Sequence, residues 1–301
     1  MPAKLLVFGA RGQVARALAD ETSFDVELSG RERLDLGEPR IDIVADIAGV
    51  IAAARPTVVI NAAAYTAVDK AETDLETARR VNRDAPAAMA RACADADVPF
   101  VHISTDYVFD GETGAPYDEA SPRHPINAYG LTKAEGEIEL EALARQGARL
   151  AIVRSAWVFT SDGEGFFKTM LRLARERDEV SVVDDQRSNP TPAFACAAAT
   201  AALARALIDG EKAAEGLFHA AGAQSMTRAE FAEAIFAGLA ARGARRPRLL
   251  RVNSDAFPLP ARRPLDTRLV SRKLEAVTDW RAPDVGAALS HYLDRVEGLG
   301  G

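Results

Sequence analysis

The chain has 301 residues, of which 48% are apolar and 27% charged, and carries a formal net charge of −7. That length accommodates one large domain, or one domain with a smaller satellite, each with its own core. The acidic balance excludes a global cationic field of the kind that holds nucleic acid or an anionic membrane, so an anionic ligand must be held locally.

The opening Met-Pro-Ala-Lys runs straight into Leu5-Leu6-Val7-Phe8, an apolar run too short for a secretion signal. No stretch approaches the roughly 20 apolar residues of a membrane span, and a cytoplasmic protein without membrane or nucleic-acid partners is expected. Lys4 to Phe8 reads as a buried strand, Gln13 to Asp20 as a helix and Asp25 to Ser29 as a second strand. A helix over Ile43 to Ala54 and a third strand at Thr57 to Ile60 follow, then a long Ala-rich helix from Leu75 to Ala96. Pro99 to Ser104 is a fourth strand, Ile126 to Arg145 a helix and Arg149 to Val153 a fifth strand.

Continuous apolar strands separated by helices predict an α/β fold, a doubly wound parallel sheet covered on both faces. Beyond Phe159 the pattern loosens. It predicts a helix over Phe166 to Arg177, a strand over Val180 to Val183, a polar turn from Asp184 to Pro190 and a helix over Phe194 to Ile208. Gly216 to Ala220 reads as a strand and Arg228 to Arg242 as a helix, and Pro247, Pro258, Pro260 and Pro264 punctuate a loop-rich end. The expected division is a nucleotide-binding domain over 1–158, joined again by about 190–225, and a smaller substrate-binding lobe from about 159–189 and 226–301.

Cys93 and Cys196 stand far apart in helix-like contexts and read as buried thiols in a reducing compartment. His102, His124, His219 and His291 show no ligand-type spacing, and no metal site is predicted.

The first chemistry-bearing segment is Gly9-Ala10-Arg11-Gly12-Gln13-Val14-Ala15, between the first strand and the first helix. Glycines at 9 and 12 let the backbone turn tightly and approach a pyrophosphate, and the helix start favours its negative charge. This is the signature of a Rossmann-type dinucleotide site. The end of the second strand selects between NAD and NADP: an acidic residue binds the ribose 2′-hydroxyl, a basic one accommodates a 2′-phosphate. The segment Leu28-Ser29-Gly30-Arg31-Glu32-Arg33 offers Arg31 first and Arg33 second, which favours NADPH, with NADH left open by Glu32. Asp35 and Leu36 continue an adenine pocket or form a turn and a core leucine. After the third strand, Ala62, Ala63 and Ala64, followed by Tyr65 and Thr66, allow a cofactor close to the backbone or serve small-residue packing.

The chemical centre follows the fourth strand. Thr105 ends it, and Tyr129 and Lys133, one helical turn apart, open the next helix. A phenol titrates near pH 10. A nearby ammonium favours the phenolate and would make Tyr129 a general acid toward a carbonyl that receives hydride, with Thr105 hydrogen-bonding the carbonyl oxygen.

These strings, with Asn61-Ala-Ala-Ala-Tyr-Thr-Ala-Val-Asp-Lys-Ala-Glu72, Ser104-Thr-Asp-Tyr-Val-Phe-Asp-Gly111, Tyr129-Gly-Leu-Thr-Lys-Ala-Glu-Gly136, Arg154-Ser-Ala-Trp-Val-Phe159, Asp185-Gln186, Pro190-Thr191 and Arg263-Pro264, run in order along nearly the whole chain. The chain resembles the extended short-chain dehydrogenase/reductases, and within them the dTDP-4-dehydrorhamnose reductases. The resemblance implies an NADPH-dependent oxidoreductase acting on a nucleotide sugar, as a monomer or homodimer. It implies that Gly12, Gln13 and Val14 hold the pyrophosphate, that Asp35 and Leu36 flank the adenine, and that Ala64, Tyr65 and Thr66 line the cofactor path. Thr105 and Asp106 would touch the sugar. Tyr129 would donate a proton to the C4 oxygen, and Lys133 would tune Tyr129 and hold the nicotinamide ribose. Trp157 would contact the sugar nucleotide, its other reading being a buried core indole, and Arg262 or Arg263 would meet the substrate diphosphate. Some members dimerise around magnesium held by glutamates, one of them early in the first helix. Here that helix reads Ala15-Arg16-Ala17-Leu18, and no metal is expected. An epimerase or dehydratase of the same fold, or a regulatory subunit of methionine adenosyltransferase, are the alternative readings.

Overall fold

The computed structural model describes residues 2–20 and 23–296. In chain order the elements are β1 (Ala3–Phe8), α1 (Gln13–Ala19), β2 (Phe24–Ser29), α2 (Ile43–Ala54), β3 (Val58–Asn61), α3 (Val68–Ala71), α4 (Leu75–Arg79), α5 (Ala85–Asp95), β4 (Phe100–Thr105), α6 (Ala128–Arg145) and β5 (Leu150–Ser155). They continue as β6 (Val158–Phe159), α7 (Phe166–Glu176), β7 (Glu179–Val183), β8 (Arg187–Ser188), β9 (Thr191–Pro192), α8 (Ala193–Ile208), β10 (Gly216–His219) and β11 (Met226–Thr227). The last are α9 (Arg228–Ala240), β12 (Arg248–Val252), α10 (Arg272–Val277) and α11 (Val285–Leu293).

Six parallel strands form the central sheet in the order β10-β5-β4-β3-β1-β2, so the α/β parallel-sheet expectation holds. Leu5, Leu6, Val7, Val58, Val59 and Ile60 have no exposed surface. Burial on both faces is the reason these strands read as unbroken apolar runs. One face is covered by α1 and α8, the other by α2, α5 and α6. The alanines of α8 let it lie close beneath the sheet. Leu274 of α10 and Trp280 join that same core, with the Trp280 indole donating to the Ala195 carbonyl at 2.9 Å. Both cysteines are free and buried, and burial pushes the thiols up, to about 12 for Cys93 and about 11 for Cys196.

A separate apolar cluster gathers Phe159, Phe167, Val180, Val182, Phe231, Phe236, Leu289 and Leu293 from β6, α7, β7, α9 and α11. β12 pairs in parallel with β7 there, in a stretch the prolines suggested was loop. Its residues are half-buried or exposed, with Arg248 and Arg251 among them, so the apolar signal of a central strand is missing.

The long helix read over 75–96 is broken. Residues 80–84 form one wide π turn between α4 and α5. Pro86 has no N–H to give the Asn82 carbonyl four residues back, so an α-helix cannot run straight through. Gly136 of α6 fits against that carbonyl, where a Cβ would come within 2.2 Å of it.

The chain passes from β1 to β2 on one side and then to β3 on the other. The gap between the loops after β1 and β3 is the topological switch point, where sheets of this kind bind ligands.

Candidate active site

A cleft of about 740 Å³ opens at that switch point, within the size range of small-molecule and cofactor sites. Gly9, Gly12, Arg31, Asp35, Leu36, Ala64, Tyr65 and Thr66, all candidates from the sequence, line it. Gly9 has φ +104, and a Cβ there would lie 2.6–2.8 Å from the backbone of Ala62 and Ala63. Only glycine lets the two loops approach this closely. Asp35 accepts from the Gly37 N–H at 3.0 Å, which turns the chain so that Leu36 reaches the core while still edging the cleft. Tyr65 is held by Asn82, whose amide bonds both its N–H and its carbonyl, and the Tyr65 hydroxyl donates to Asp74.

Two of the glycine-loop candidates lie differently. Val14 packs its side chain in the core beside Ala15 and Leu18. Gln13 donates from Nε2 to the Glu164 carbonyl at 2.9 Å, tying the glycine loop to the segment after β6. At the end of β2, Arg33 is drawn to Glu27. Arg31 is exposed, edges the cleft and forms no ion pair among the described residues.

The second half of the site lies at the ends of β4 and β5 and the start of α6. Asn127 caps α6 by accepting from the Gly130 N–H, which places Tyr129 and Lys133 on the first two turns. The Thr105 hydroxyl is within hydrogen-bonding reach of the Tyr129 phenol. Burial raises the phenol above its ordinary 10, against a smaller lowering by Thr105. Lys133 has almost no exposed surface. Its Nζ lies 2.8 Å from the Ile103 carbonyl and 2.9 Å from His102 Nε2. Burial brings Lys133 down to about 8. The amine is thus turned toward β4. In the folded protein burial acts on both groups and dominates.

Asp106 does not open on the cleft. It is 3% exposed, and its carboxylate accepts from Thr105, Ser188 and Thr267. It therefore fastens Thr105 to the chain segments around β8 and before α10. Burial raises its carboxyl, partly offset by those hydroxyls.

Trp157 is partly exposed, with φ 42 in the left-handed region, a strained backbone for a bulky side chain. It is not a core indole. The Arg228 guanidinium stacks on its ring at 3.6 Å and hydrogen-bonds Tyr107. Tyr107 in turn packs edge-on against Tyr129, with ring centroids 5.7 Å apart. Arg228 forms no carboxylate ion pair among the described residues, and its burial lowers its affinity for the proton. Nothing in the sequence singled it out, since it reads as the first residue of a helix. Arg263 is paired with Asp69 at 2.7 Å, and Arg262 is exposed beside Glu112 at 3.7 Å.

Beneath Thr105 and Lys133 lies a buried charge cluster. Glu137 and Arg154, both without exposed surface, pair at 2.7 Å, and Ser104 and Arg123 also donate to Glu137. Burial pushes the Glu137 carboxyl up, but Arg154, Arg123 and Ser104 outweigh it and hold it down to about 2. No cluster of His, Cys, Asp and Glu among the described residues could hold a metal ion, and none of the described helices is long and apolar enough to cross a membrane.

Compared with known proteins, residues 3–297 match the family model described as the RmlD substrate binding domain. The chain is 39% identical over 284 residues to a dTDP-4-dehydrorhamnose reductase of Sinorhizobium fredii, covering 93% of each chain. It is 40% identical over 292 residues to one of Burkholderia thailandensis, covering 92% of this chain and 95% of the relative. Among solved structures, the dTDP-4-dehydrorhamnose reductase of Bacillus anthracis in complex with NADP superposes with a TM-score of 0.88 at 29% identity, covering 98% of this chain and 100% of that one.

Proposed function

The chain belongs to the family of the dTDP-4-dehydrorhamnose reductases, and from that premise we propose that it uses NADPH to reduce the C4 keto group of dTDP-4-dehydro-β-L-rhamnose, giving dTDP-β-L-rhamnose. The observation that supports the reading is that a cleft of about 740 Å³ at the carboxyl ends of β1, β2 and β3 lies at the same end of the parallel sheet as Thr105, which ends β4, and Tyr129, which opens the helix after it. NADPH, when bound, supplies hydride to the carbonyl carbon.

The residues supply the rest. Gly9 and Gly12 let the pyrophosphate approach backbone, with Gln13 and Val14 following at the helix start. Ala64, Tyr65 and Thr66 border the path along β3, and Asp35 and Leu36 border the adenine end. Arg31 is the partner for a 2′-phosphate, because Arg33 is already paired. The Thr105 hydroxyl, which donates to Asp106 in the free protein, turns its one proton to the substrate carbonyl oxygen when substrate binds. Tyr129 gives that oxygen its proton. Burial favours the protonated phenol, the form a general acid needs. Lys133 stands one turn away to balance the phenolate left behind and to hold the nicotinamide ribose.

In this reading 1–158 with about 190–225 holds the dinucleotide, and 159–189 with 226–301 supplies the substrate side. Trp157 gives a flat face to the sugar nucleotide. Arg228, stacked on it without a carboxylate partner, joins Arg263 as an anchor for the diphosphate. Every residue used comes from one chain, so a monomer suffices and a homodimer is compatible. The place of action is the cytoplasm, where NADPH is regenerated.

The test follows NADPH absorbance with substrate generated in situ from dTDP-glucose by the enzymes that precede this step. Steady oxidation, one NADPH per product, is expected. Tyr129→Phe, which removes only the hydroxyl, should slow it about 10²- to 10⁴-fold with an unchanged melting temperature. Cofactor that never leaves the protein would instead mark an epimerase. Undiminished cellular function of the Phe variant would favour a regulatory subunit.

A further inference from the structure

The guanidinium that covers Trp157 stands in the space the sugar of the substrate needs. We infer that Arg228 is a specificity-determining plug: in the free protein its side chain fills the gap between Trp157 and Tyr107, and a ligand carrying a diphosphate draws it away, so that the sugar subsite opens to nucleotide sugars and stays shut to neutral sugars. The identity of the sugar rests on the function proposed above.

The contacts of the side chain place it there. Arg228 Cζ lies 3.6 Å from the centre of the Trp157 ring and 5.0 Å from that of Phe166. The guanidinium also donates to the Tyr107 hydroxyl. Tyr107 packs edge-on against Tyr129, with ring centroids 5.7 Å apart. The indole face under the guanidinium is therefore the one turned to the tyrosines. A sugar that rests on this face with its carbonyl at Tyr129 needs the same space, and the face cannot hold both.

The charges around Arg228 leave it ready to change partners. Asp106 attracts it, but that carboxylate already accepts from Thr105, Ser188 and Thr267. Arg263 repels it and is itself paired with Asp69. No carboxylate forms an ion pair with Arg228 among the described residues, and burial lowers its affinity for the proton. An aromatic face attracts a cation through its quadrupole alone, whereas a diphosphate offers charged oxygens to the guanidinium fork. The exchange therefore favours a ligand with a diphosphate. A neutral sugar has no charge to offer in return for the stack.

The side chain can move while the backbone stays. Arg228 opens α9, and its N–H donates to the Gln186 carbonyl at 3.1 Å. The capping box of Thr227 and Glu230 fixes the turn around it. Across the gap, the Trp157 carbonyl accepts from the Thr191 N–H at 3.2 Å. The long unbranched arginine stem is the part with rotamer freedom.

Tryptophan fluorescence tests this. The chain has two tryptophans, and Trp280 is buried and hydrogen-bonded to Ala195. Quenching by acrylamide, less the background measured in Trp157→Phe, therefore reports Trp157. Addition of dTDP, which brings the diphosphate without a sugar, should raise the quenching constant at least about twofold, because the stacked face loses its cover. Thymidine, which has no phosphate, should leave it unchanged. In Arg228→Ala the constant should start at the raised level and not respond to dTDP. The same variant should bind methyl α-L-rhamnoside, a neutral sugar, about tenfold more tightly than the unmutated protein, since no cation–π contact has to be broken. A residue that only anchors the diphosphate in place brings no such gain. If calorimetry shows dTDP bound while the quenching constant is unchanged, or if the rhamnoside binds both proteins equally, the inference is overturned. If Arg228→Ala does not fold, the dTDP and thymidine titrations of the unmutated protein decide. If dTDP does not bind, the proposed function fails. Inorganic pyrophosphate is then the anionic probe, and an unchanged quenching constant in its presence overturns this inference as well.

Discussion

Removing the charge of Glu137 by Glu137→Gln tests whether the site is built on the buried pair under β4 and α6. Neither Glu137 nor Arg154 has exposed surface, and Arg154 reaches both carboxylate oxygens, with Nη2 at 2.7 Å from Oε2 and Nε at 3.0 Å from Oε1. Lowering this carboxyl from its ordinary 4.5 to about 2 corresponds to about 3 kcal/mol of extra stability for the ionised, paired form. Deleting one partner of a buried pair costs about 3–5 kcal/mol, because the survivor is left charged in a dry site. At roughly 2–4 °C per kcal/mol for a chain of this size, the melting temperature should fall by about 10 °C. Because the folded carboxyl lies below its unfolded value, this stability is fully present above pH 4.5 and is lost as pH falls toward 2. Thermal unfolding monitored by circular dichroism at pH 7 and pH 4 measures both effects. The loss in the variant should shrink as the pH is lowered, since the wild type loses the same contribution there. Replacing both partners, as Glu137→Leu with Arg154→Met, should recover part of it, because no lone charge remains. A fall of less than 2 °C for Glu137→Gln at pH 7, or a loss that does not change with pH, would refute the reasoning.

Two further outcomes follow from the cleft. Arg31→Ala should raise KM for NADPH at least tenfold and leave KM for NADH nearly unchanged, since only NADPH carries the 2′-phosphate; equal effects on both would show that Arg31 does not meet that group. Gly9→Ala should weaken nucleotide binding strongly, measured by calorimetric titration with NADP. Its Cβ would sit 2.6–2.8 Å from the backbone of residues 62 and 63, at φ +104, and the β1 and β3 loops would have to part; unchanged affinity would contradict that geometry.

Much of this architecture was legible because its signals are local. Leu5 to Phe8 and Val58 to Ile60 are apolar without interruption because both of their faces are covered, and the glycine-rich loop after β1 follows at once. Tyr129 and Lys133 announce themselves by lying one turn apart on a helix that follows a Ser-Thr strand end. What could not be read depends on contacts between distant parts of the chain. Asp106 looks like a residue aimed at substrate. Only the fold brings Ser188 and Thr267 onto its carboxylate and buries it. Arg228 opens α9 like any solvated helix residue, and its stacking on Trp157 arises from the packing of α9 against the segment after β5. The π turn at 80–84 was concealed by a strong alanine pattern that Pro86 interrupts.

The same distinction explains why the chemistry differs from the simplest account of a Tyr-x-x-x-Lys pair. Spacing alone suggests an ammonium beside a phenol, each charged form stabilising the other. The fold instead moves both groups toward neutrality: the phenol rises above 10, and the amine descends from its ordinary 10.5 to about 8, with His102 and Ile103 as its partners. At rest, burial therefore disfavours the phenolate–ammonium pair, and the phenol keeps the proton it is to give away. Only when that proton has gone to the substrate oxygen does a buried phenolate exist, and it then favours protonation of Lys133. With a midpoint near 8 the lysine carries its proton at neutral pH and loses it as the medium turns alkaline, so the cation that balances the phenolate is available only below that midpoint. The alkaline limb of the pH–rate profile for reduction should therefore belong to the amine near pH 8 and not to the phenol. In Lys133→Met, which keeps the length of the side chain but no titrating group, the limb near pH 8 should vanish from the low residual activity; its persistence there would assign it to another residue.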